Sequence, residues 1–401
     1  MTISSDTHGR PKRAELGLHA VTLTAFFAAS SVPSPLYPLY QAAWGFSPFM
    51  ITIIFAIYAI ALLATLLFCG SLSNHWGRRR VILTALAIQL LSMGLFFLAQ
   101  DAAWLLAARL VQGLATALAT TALTAAMLDI DHKAGATINS IAPMIGMGAG
   151  SLGSGLLAQV APFPLRAAYV LLIALFVIQL ALSVRSRETL ATLSADKWVP
   201  RARIEVPEAA RKAFLRVAPL NIANWALGGF FLSLLPSLIR AMPGSGATWL
   251  GGAAVAALTF AASLSILAHR NKTASMALAV AGVTGAIGTA VILAGVYVGS
   301  PAILIAGSLT AGVGFGAGFL GATRNLVARS TPAGRAGLMS AFYFESYMAT
   351  ALPAMVAGYA ARQIGLLETA TVFIALVVAL CLLSLAMPEA DCPQKVAEQG
   401  A

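Results

Sequence analysis

Few side chains in this sequence carry a charge where charge is expensive, and those few are where chemistry is to be sought. Glu345 stands about eleven residues into an apolar run spanning 334–361, which at ~1.5 Å per residue is roughly 16 Å from its start, near mid-membrane if the run crosses a bilayer. A carboxyl group taken out of water holds its proton more readily. An acid there is able to load and release protons as access to it alternates, and ionisable groups inside membranes commonly mark pathways. The other reading of Glu345 is a structural hydrogen bond to a neighbouring helix. Arg109, Gln112, Thr116, Thr120 and Thr124 follow one another at spacings of 3, 4, 4 and 4, so they form one polar stripe on a helix. Facing lipid it would be costly, so it is expected to face a cavity or another helix. Arg109 there either binds an anion, tunes a nearby acid, or packs against backbone carbonyls.

Other candidates are weaker. His19, Thr22 and Ser30 share a face of the first apolar run. His19 titrates near neutrality and reads as either an interfacial or a cavity histidine. Asn221 and Asn224 share a face with Gly228 and either line a cavity or join helices. Trp225, Phe230, Tyr343 and Tyr347 are able to stack on an aromatic or cationic compound. No constellation suggests catalysis, so no enzyme is expected. The five histidines are scattered and no pair has metal-ligand spacing. The three cysteines imply no disulfide framework. No phosphate-cradling G-x-x-x-x-G-K-[ST] is present. No metal or cofactor is expected, and the energy source would be an ion gradient, a proton gradient first.

These residues need helices in lipid to position them. The chain has 401 residues, 59% apolar and 10% charged, against about 25% charged in a soluble domain. Such a composition excludes disordered, collagenous and ordinary cytosolic chains. Apolar runs at 16–40, 48–70, 81–100, 102–126, 137–161, 165–184, 213–239, 246–268, 273–298, 301–328, 334–361 and 366–387 predict twelve transmembrane helices. A basic start before the first run can mark a signal peptide, but the run continues past any cleavage site into Pro33, Pro35 and Pro38 and reads as the first span. With both termini inside, 21 of the 25 Lys and Arg fall on inside segments and three on outside loops, Arg109 being within a span. That asymmetry follows the positive-inside rule and places both termini in the cytoplasm. The net charge of +11 is spread in short clusters, not one patch, so no nucleic acid partner is implied.

Residues 185–212 interrupt the apolar pattern with a run of charges from Arg185 to Lys212. They predict a cytoplasmic linker, with Trp198, Ile204 and Phe214 compatible with a short amphipathic helix on the membrane surface. The domains expected are a six-helix bundle over 1–184, the linker over 185–212, and a second six-helix bundle over 213–401 ending in a short cytoplasmic tail. An offset near 200 pairs Pro35 with Pro236, Gly113 with Gly312 and Ser140 with Ser340, which suggests an internal duplication of the kind transporters use.

The segment after the second run reads Gly70-Ser-Leu72-Ser-Asn74-His-Trp-Gly77-Arg78-Arg79-Arg80. It resembles the signature loop of the major facilitator superfamily, G-x-L-a-D-r-x-G-r-[kr], with Asn74 where the family usually has Asp. In the family that acid helps latch the two halves, so the resemblance implies a conformational switch at Gly70, Asn74, Gly77, Arg78 and Arg79, with a weaker latch. Arg109 to Gly113 is similar to the family's R-x-x-q-G, a position used in coupling. The run ends at Asp129 and Asp131, candidates to pair with Arg78. Gly146, Gly148, Gly150, Gly153 and Gly155 are similar to the glycine-rich motif of the family's antiporters, without its Gly-Pro pair. Gly146, Gly150, Gly153 and Gly155 are expected to let helices pack closely. Residues His269-Arg270-Asn271-Lys272 resemble a worn second copy of the signature loop.

The fold expected is therefore all-α and integral to the membrane, two pseudo-symmetric six-helix bundles around a cavity. The function expected is proton-coupled export of small apolar or amphipathic compounds by alternating access. One rival is a proton-coupled importer of a sugar or organic acid, for which Arg109 would suit a carboxylate. The other is a non-transporting membrane sensor. Partners would be the small-molecule substrate and the lipid bilayer. The resemblance implies a monomer, and the charge pattern fits a multi-pass protein of a bacterial inner membrane.

Overall fold

The computed structural model describes residues 12–194, 196–200, 202, 204–242, 247–331 and 334–387. Arg10, Arg201, Arg203, Lys395 and Cys392, with both chain termini, lie outside them. The first half contains α1 (Lys12–Ser31), α2 (Tyr37–Trp44), α3 (Pro48–Cys69), α4 (Leu72–Trp76), α5 (Arg78–Leu98), α6 (Ala102–Ile130), α7 (His132–Val160) and α8 (Ala167–Val184). The second contains α9 (Glu208–Ser233), α10 (Leu235–Ala241), α11 (Trp249–His269), α12 (Ala274–Val298), α13 (Pro301–Val327), α14 (Arg335–Ile364) and α15 (Leu366–Ala386).

The helix starts follow from short polar side chains beside apolar runs. Asp101 accepts hydrogen bonds from the N–H groups of Ala103 and Trp104 at 2.8 and 3.2 Å. Asp131, Thr273 and Ser300 cap α7, α12 and α13 in the same way. Each satisfies donors that the first helical turn leaves open. Gly45 and Gly299 end α2 and α12 at φ of 68° and 69°, the left-handed geometry that glycine adopts without a Cβ clash.

Nine helices are long and apolar enough to cross a membrane among the described residues, or ten with the bent pair α9 and α10. This differs from the twelve runs expected. α1 carries Lys12, Arg13 and Glu15 in its first turn. α14 carries Arg335, Glu345 and Arg362 within 30 residues, which dilutes its apolar character. The runs at 16–40 and 213–239 are not single helices. The first breaks over residues 32–36 between α1 and α2, and the second bends by 54° at Leu234 between α9 and α10. Prolines lie at both breaks, Pro33 and Pro35 in one and Pro236 in the other. Proline offers no N–H to the helical ladder, so the chain turns there. The linker is a second correction: residues 185–207 contain no helix among those described, and Trp198 instead packs on the first core.

Two large buried apolar cores organise the chain. One draws on residues 23–176, the other on residues 210–381 with Met144 of α7. Gly113 and Gly312 do the same work in each. A methyl on Gly113 of α6 would come 2.5 Å from the Tyr58 carbonyl of α3, and one on Gly312 of α13 would strike the Leu258 carbonyl of α11. Large apolar side chains such as Leu91, Ile178, Leu264, Val356 and Leu376 point outward and are more than half exposed. In water that surface would drive aggregation; in lipid it is the expected exterior.

Candidate functional site

A cavity of about 470 Å³ lies between the two cores. Its walls come from α1, α3, α6 and α7 in the first half and from α9, α11, α13 and α14 in the second. It extends toward the end of the molecule that carries the Arg78–Arg80 cluster, reaching Leu66, Gly70, Leu128 and Ser140. At the other end the halves are in contact. The Thr248 N–H donates to Gln159 Oε1 at 3.1 Å. A methyl on Gly155 of α7 would stand 2.9 Å from the Trp249 Cα of α11. Phe49 and Tyr359 meet edge to face at 6.0 Å across α3 and α14. The site is thus sealed at one end and hollow toward the other.

The cavity wall has no Asp, Glu, Lys, Arg or His side chain among the described residues. Trp225, Tyr343 and Tyr347 line it, with Phe315, Phe319 and Phe231 beside them. Phe230 does not: it is buried against Phe373 at 4.9 Å. The polar stripe of α6 divides. Thr120 and Thr124 line the cavity, with Thr124 Oγ1 donating to Asn139 Oδ1 at 2.5 Å. Arg109, Gln112 and Thr116 are fully buried behind the wall.

Other candidates also lie off the cavity. His19 is 2% exposed inside the first half, neither interfacial nor lining. Asn224 is buried where a methyl on Gly318 would strike its amide. Asn221 Nδ2 donates to Ser346 Oγ at 3.0 Å and to Glu345 Oε2 at 3.3 Å. Glu345 is two residues from both Tyr343 and Tyr347, about 200° around α14, so it stands in the seam with α9 and not in the cavity wall.

Arg109 is held on every side. Its Nε and Nη2 donate to Tyr37 Oη at 3.0 and 2.6 Å, and its Nη1 donates to the Ser30 carbonyl at 2.7 Å and to Gln112 Oε1 at 2.8 Å. The guanidinium carbon lies 5.3–5.8 Å from the ring centroids of Tyr58, Tyr37 and Phe96. Gln112 Nε2 extends the network to the Ala29 carbonyl at 3.0 Å. No carboxylate is paired with Arg109 among the described residues. Its acceptors lie on either side of the break between α1 and α2, so Arg109 braces that break.

At the Arg-rich end, Arg78 reaches three partners: Asp129 Oδ2 at 3.2 Å, Ser73 Oγ at 2.7 Å and Asn74 Oδ1 at 2.5 Å. Asp131 is not among them, being spent on capping α7. Gly77 has φ of 92°, which a side chain would strain. The acid that sequence reasoning missed is Glu188 of the linker. Its Oε1 accepts from the Arg78 N–H at 2.9 Å and its Oε2 from the Arg79 N–H at 3.1 Å. A carboxylate at a helix N-terminus satisfies open donors and opposes the positive end of the helix dipole. Around it, Thr189 Oγ1 donates to Asp129, the Ser194 N–H to the Asn74 carbonyl, and Arg79 to the Val184 carbonyl. Replacing Glu188 with alanine is expected to cost about 1–2 kcal/mol by analogy with helix caps. Limited trypsin digestion should then cut faster at Arg185 and Arg187; an unchanged rate would remove the clamp.

In the second half the polarity of this contact is reversed. Arg324, at the end of α13, donates to the carbonyls of His269, Arg270 and Lys272. The glycines of α7 split by partner. Gly146 and Gly150 press on α1, against Thr24 and Ala28, whereas Gly155 presses on α11. Gly153 meets no atom within 4 Å of where a Cβ would stand, so it is not a packing position.

No curated protein matches this sequence significantly. Among solved structures, that of a point mutant of the nucleoside transporter NupG superposes with a TM-score of 0.71 at 13% identity, covering 94% of this chain and 99% of that one. A bacterial homolog of the human lysosomal transporter Spinster, inward-facing and unoccupied, superposes with a TM-score of 0.70 at 14% identity, covering 94% and 98%. Identities this low carry the fold alone. The family model of the Major Facilitator Superfamily matches residues 20–354. The chain belongs to the Major Facilitator Superfamily and is a multi-span membrane transporter, not an enzyme.

Proposed function

We propose that this protein is a proton-coupled exporter of small apolar or amphipathic compounds, with twelve spans in two six-helix halves (1–184 and 213–401) joined by the 185–212 linker. The observation that carries the reading is the cavity: shared by both halves, rich in aromatic and small side chains, free of acidic, basic and histidine side chains among the described residues, and closed at one end only. A compound that partitions into such a wall leaves water readily. The positive-inside pattern puts the hollow end, both termini and the linker in the cytoplasm. The chain would work as a monomer in a bacterial inner membrane.

Coupling is assigned to Glu345. Asn221 holds Glu345 and Ser346 with one amide, and one turn further along α9 Trp225 stands 5.2 Å from Tyr347 of α14. A neutral Glu345 accepts more weakly than a carboxylate, which loosens the α9–α14 seam behind the two aromatic rings. The proton binds Glu345 when the site faces outside and leaves when it faces the cytoplasm, while the substrate moves the other way. The importer of an anion is disfavoured, because Arg109 is enclosed by its own partners and does not reach the cavity.

The test uses everted vesicles challenged with a compound panel. Wild type should collapse the pH gradient with some compound, and Glu345→Gln should not, though the labelled compound still moves down its own gradient. A normal response from Glu345→Gln, or transport indifferent to the proton gradient, would overturn the coupling.

A further inference from the structure

We infer that the cavity selects one uncharged, planar ring compound bearing a carboxamide-like group on one edge, an inference that rests on the cavity being the transport site. The two halves contribute unequally to the walls. Most of the rings come from the second half, where Trp225 stands 6.3 Å from Phe315 and 5.2 Å from Tyr347, and Phe27, Phe55 and Tyr58 of the first half add to them. Tilted rings around a central indole offer faces to a flat ligand and little to a saturated one. Most of the polar lining comes from α6 and α7 of the first half, with Thr259 and Thr350 from the second.

The hydrogen-bonding sense of that polar wall is fixed by its own contacts. Thr120 Oγ1 donates to the Thr116 carbonyl at 2.7 Å, Thr121 Oγ1 to the Leu118 carbonyl at 3.0 Å, and Ser140 Oγ to the Ala136 carbonyl at 2.9 Å. With their hydrogens committed to their own helices, these hydroxyls face the cavity as acceptors. Thr124 engages Asn139 through its amide oxygen, which leaves the Asn139 NH2 as the donor. A ligand edge that matches carries N–H donors and a carbonyl acceptor together, as a primary carboxamide does.

Charge is excluded from both sides. An anion would enter a wall with no cationic side chain at the surface, and burying an unpaired charge is costly. A cation would meet ring faces, which attract it, but no carboxylate. It would also approach Arg109, whose guanidinium sits 5.3 Å from the centroid of the lining Tyr58. The cavity of about 470 Å³ falls in the range that holds compounds of drug size.

The test measures binding to the purified full-length protein in detergent by equilibrium dialysis, with four probes of one shape: naphthalene-1-carboxamide, 1-naphthoate, 1-naphthylmethylammonium and decahydronaphthalene-1-carboxamide. The neutral aromatic amide is expected to bind about tenfold tighter than each of the other three, or better, a gap of about 1.4 kcal/mol. Equal binding of either ion, equal binding of the saturated amide, or binding of none overturns the inference on the wild-type protein alone. Two variants locate the contacts. Asn139→Leu should weaken the aromatic amide without affecting plain naphthalene, and Trp225→Leu should weaken the aromatic amide but not the saturated one. Amide affinity unchanged in Asn139→Leu likewise overturns the edge assignment. The transport reading fails separately. An amide bound but never moved across vesicles removes transport and leaves the ligand class standing, whereas a charged compound moved by a protein that ignores the amide does the reverse.

Discussion

Replacing Arg109 with lysine is expected to reduce transport about tenfold or more and to lower the thermal midpoint in detergent by several degrees. Arg109 covers three acceptors with four donor contacts, Tyr37 Oη twice, the Ser30 carbonyl and Gln112 Oε1. A guanidinium does this because its donors are spread over a rigid fork; an ammonium has a single point charge on a flexible stem. At least one buried acceptor would lose its partner, at about 1–3 kcal/mol each. The ammonium is also the more strongly hydrated ion, so burying it costs more. The functional loss follows from position. Ser30 lies in the last turn of α1 and Tyr37 opens α2, with the proline-rich break between them, and Ser30 and Tyr58 also line the cavity. Loosening this brace moves part of the substrate wall. Tyr37→Phe should fall between wild type and Arg109→Lys, since it removes one acceptor and keeps the fork. Vesicle transport and thermal unfolding of the three proteins check the order. An Arg109→Lys protein that keeps both properties would show that the charge alone matters there.

The helices were legible because apolar runs are local signals, and the caps that the structure shows are local too. Asp101, Asp131, Thr273 and Ser300 each stand beside the run they cap. The offset of about 200 also carried physical content: Pro35 and Pro236 both lie at helix breaks, and Gly113 and Gly312 both admit a neighbouring backbone. Where sequence spacing failed, the missing quantity was direction. Glu345 points into the α9 seam, because a helix turns about 100° per residue and a position along the helix does not choose a face. The stripe from Arg109 to Thr124 is continuous on α6, yet its partners change along its length, so part is structural brace and part is cavity wall.

The Arg-rich loop shows a different limit. Asn74 in place of the usual acid suggested a weakened latch. Glu188, more than a hundred residues away, brings a carboxylate to the start of α5, and no local pattern marks that long-range contact. Phe230 and Trp225 illustrate the same point on one helix: both are large and aromatic, and only the neighbours of α9 assign one to the core and the other to the cavity. Gly153 shares its motif with four close-packed glycines and faces open space, since five glycines in ten residues cannot all lie on one helix face.

The contact that seals the far end gives the sharpest prediction about alternation. Replacing Gly252 with leucine is expected to abolish transport while the protein stays folded. A methyl on Gly252 of α11 would strike the Ser151 carbonyl of α7 and come 3.1 Å from the Leu152 Cα. Both contacts cross between the halves, and neither belongs to the interior of one half. A side chain there wedges the sealed end apart and leaves each core packed, so the population moves away from the state that is hollow toward the Arg-rich end. Gln159→Cys with Thr248→Cys reads the seal, because Thr248 donates to Gln159 at 3.1 Å across this seam. Cross-linking should be efficient in the parent and fall several-fold once Gly252→Leu is added. Gly312→Leu is the counter-case. Its side chain would strike the Leu258 carbonyl and press on Ala261, 2.9 Å from a Cβ at 312, inside the second half, where overpacking costs about 1–3 kcal/mol or more. That variant should lose thermal stability, whereas Gly252→Leu should lose transport at near-parental stability. If the two behave alike, the α7–α11 seam is part of a single rigid core, and the halves do not separate along it.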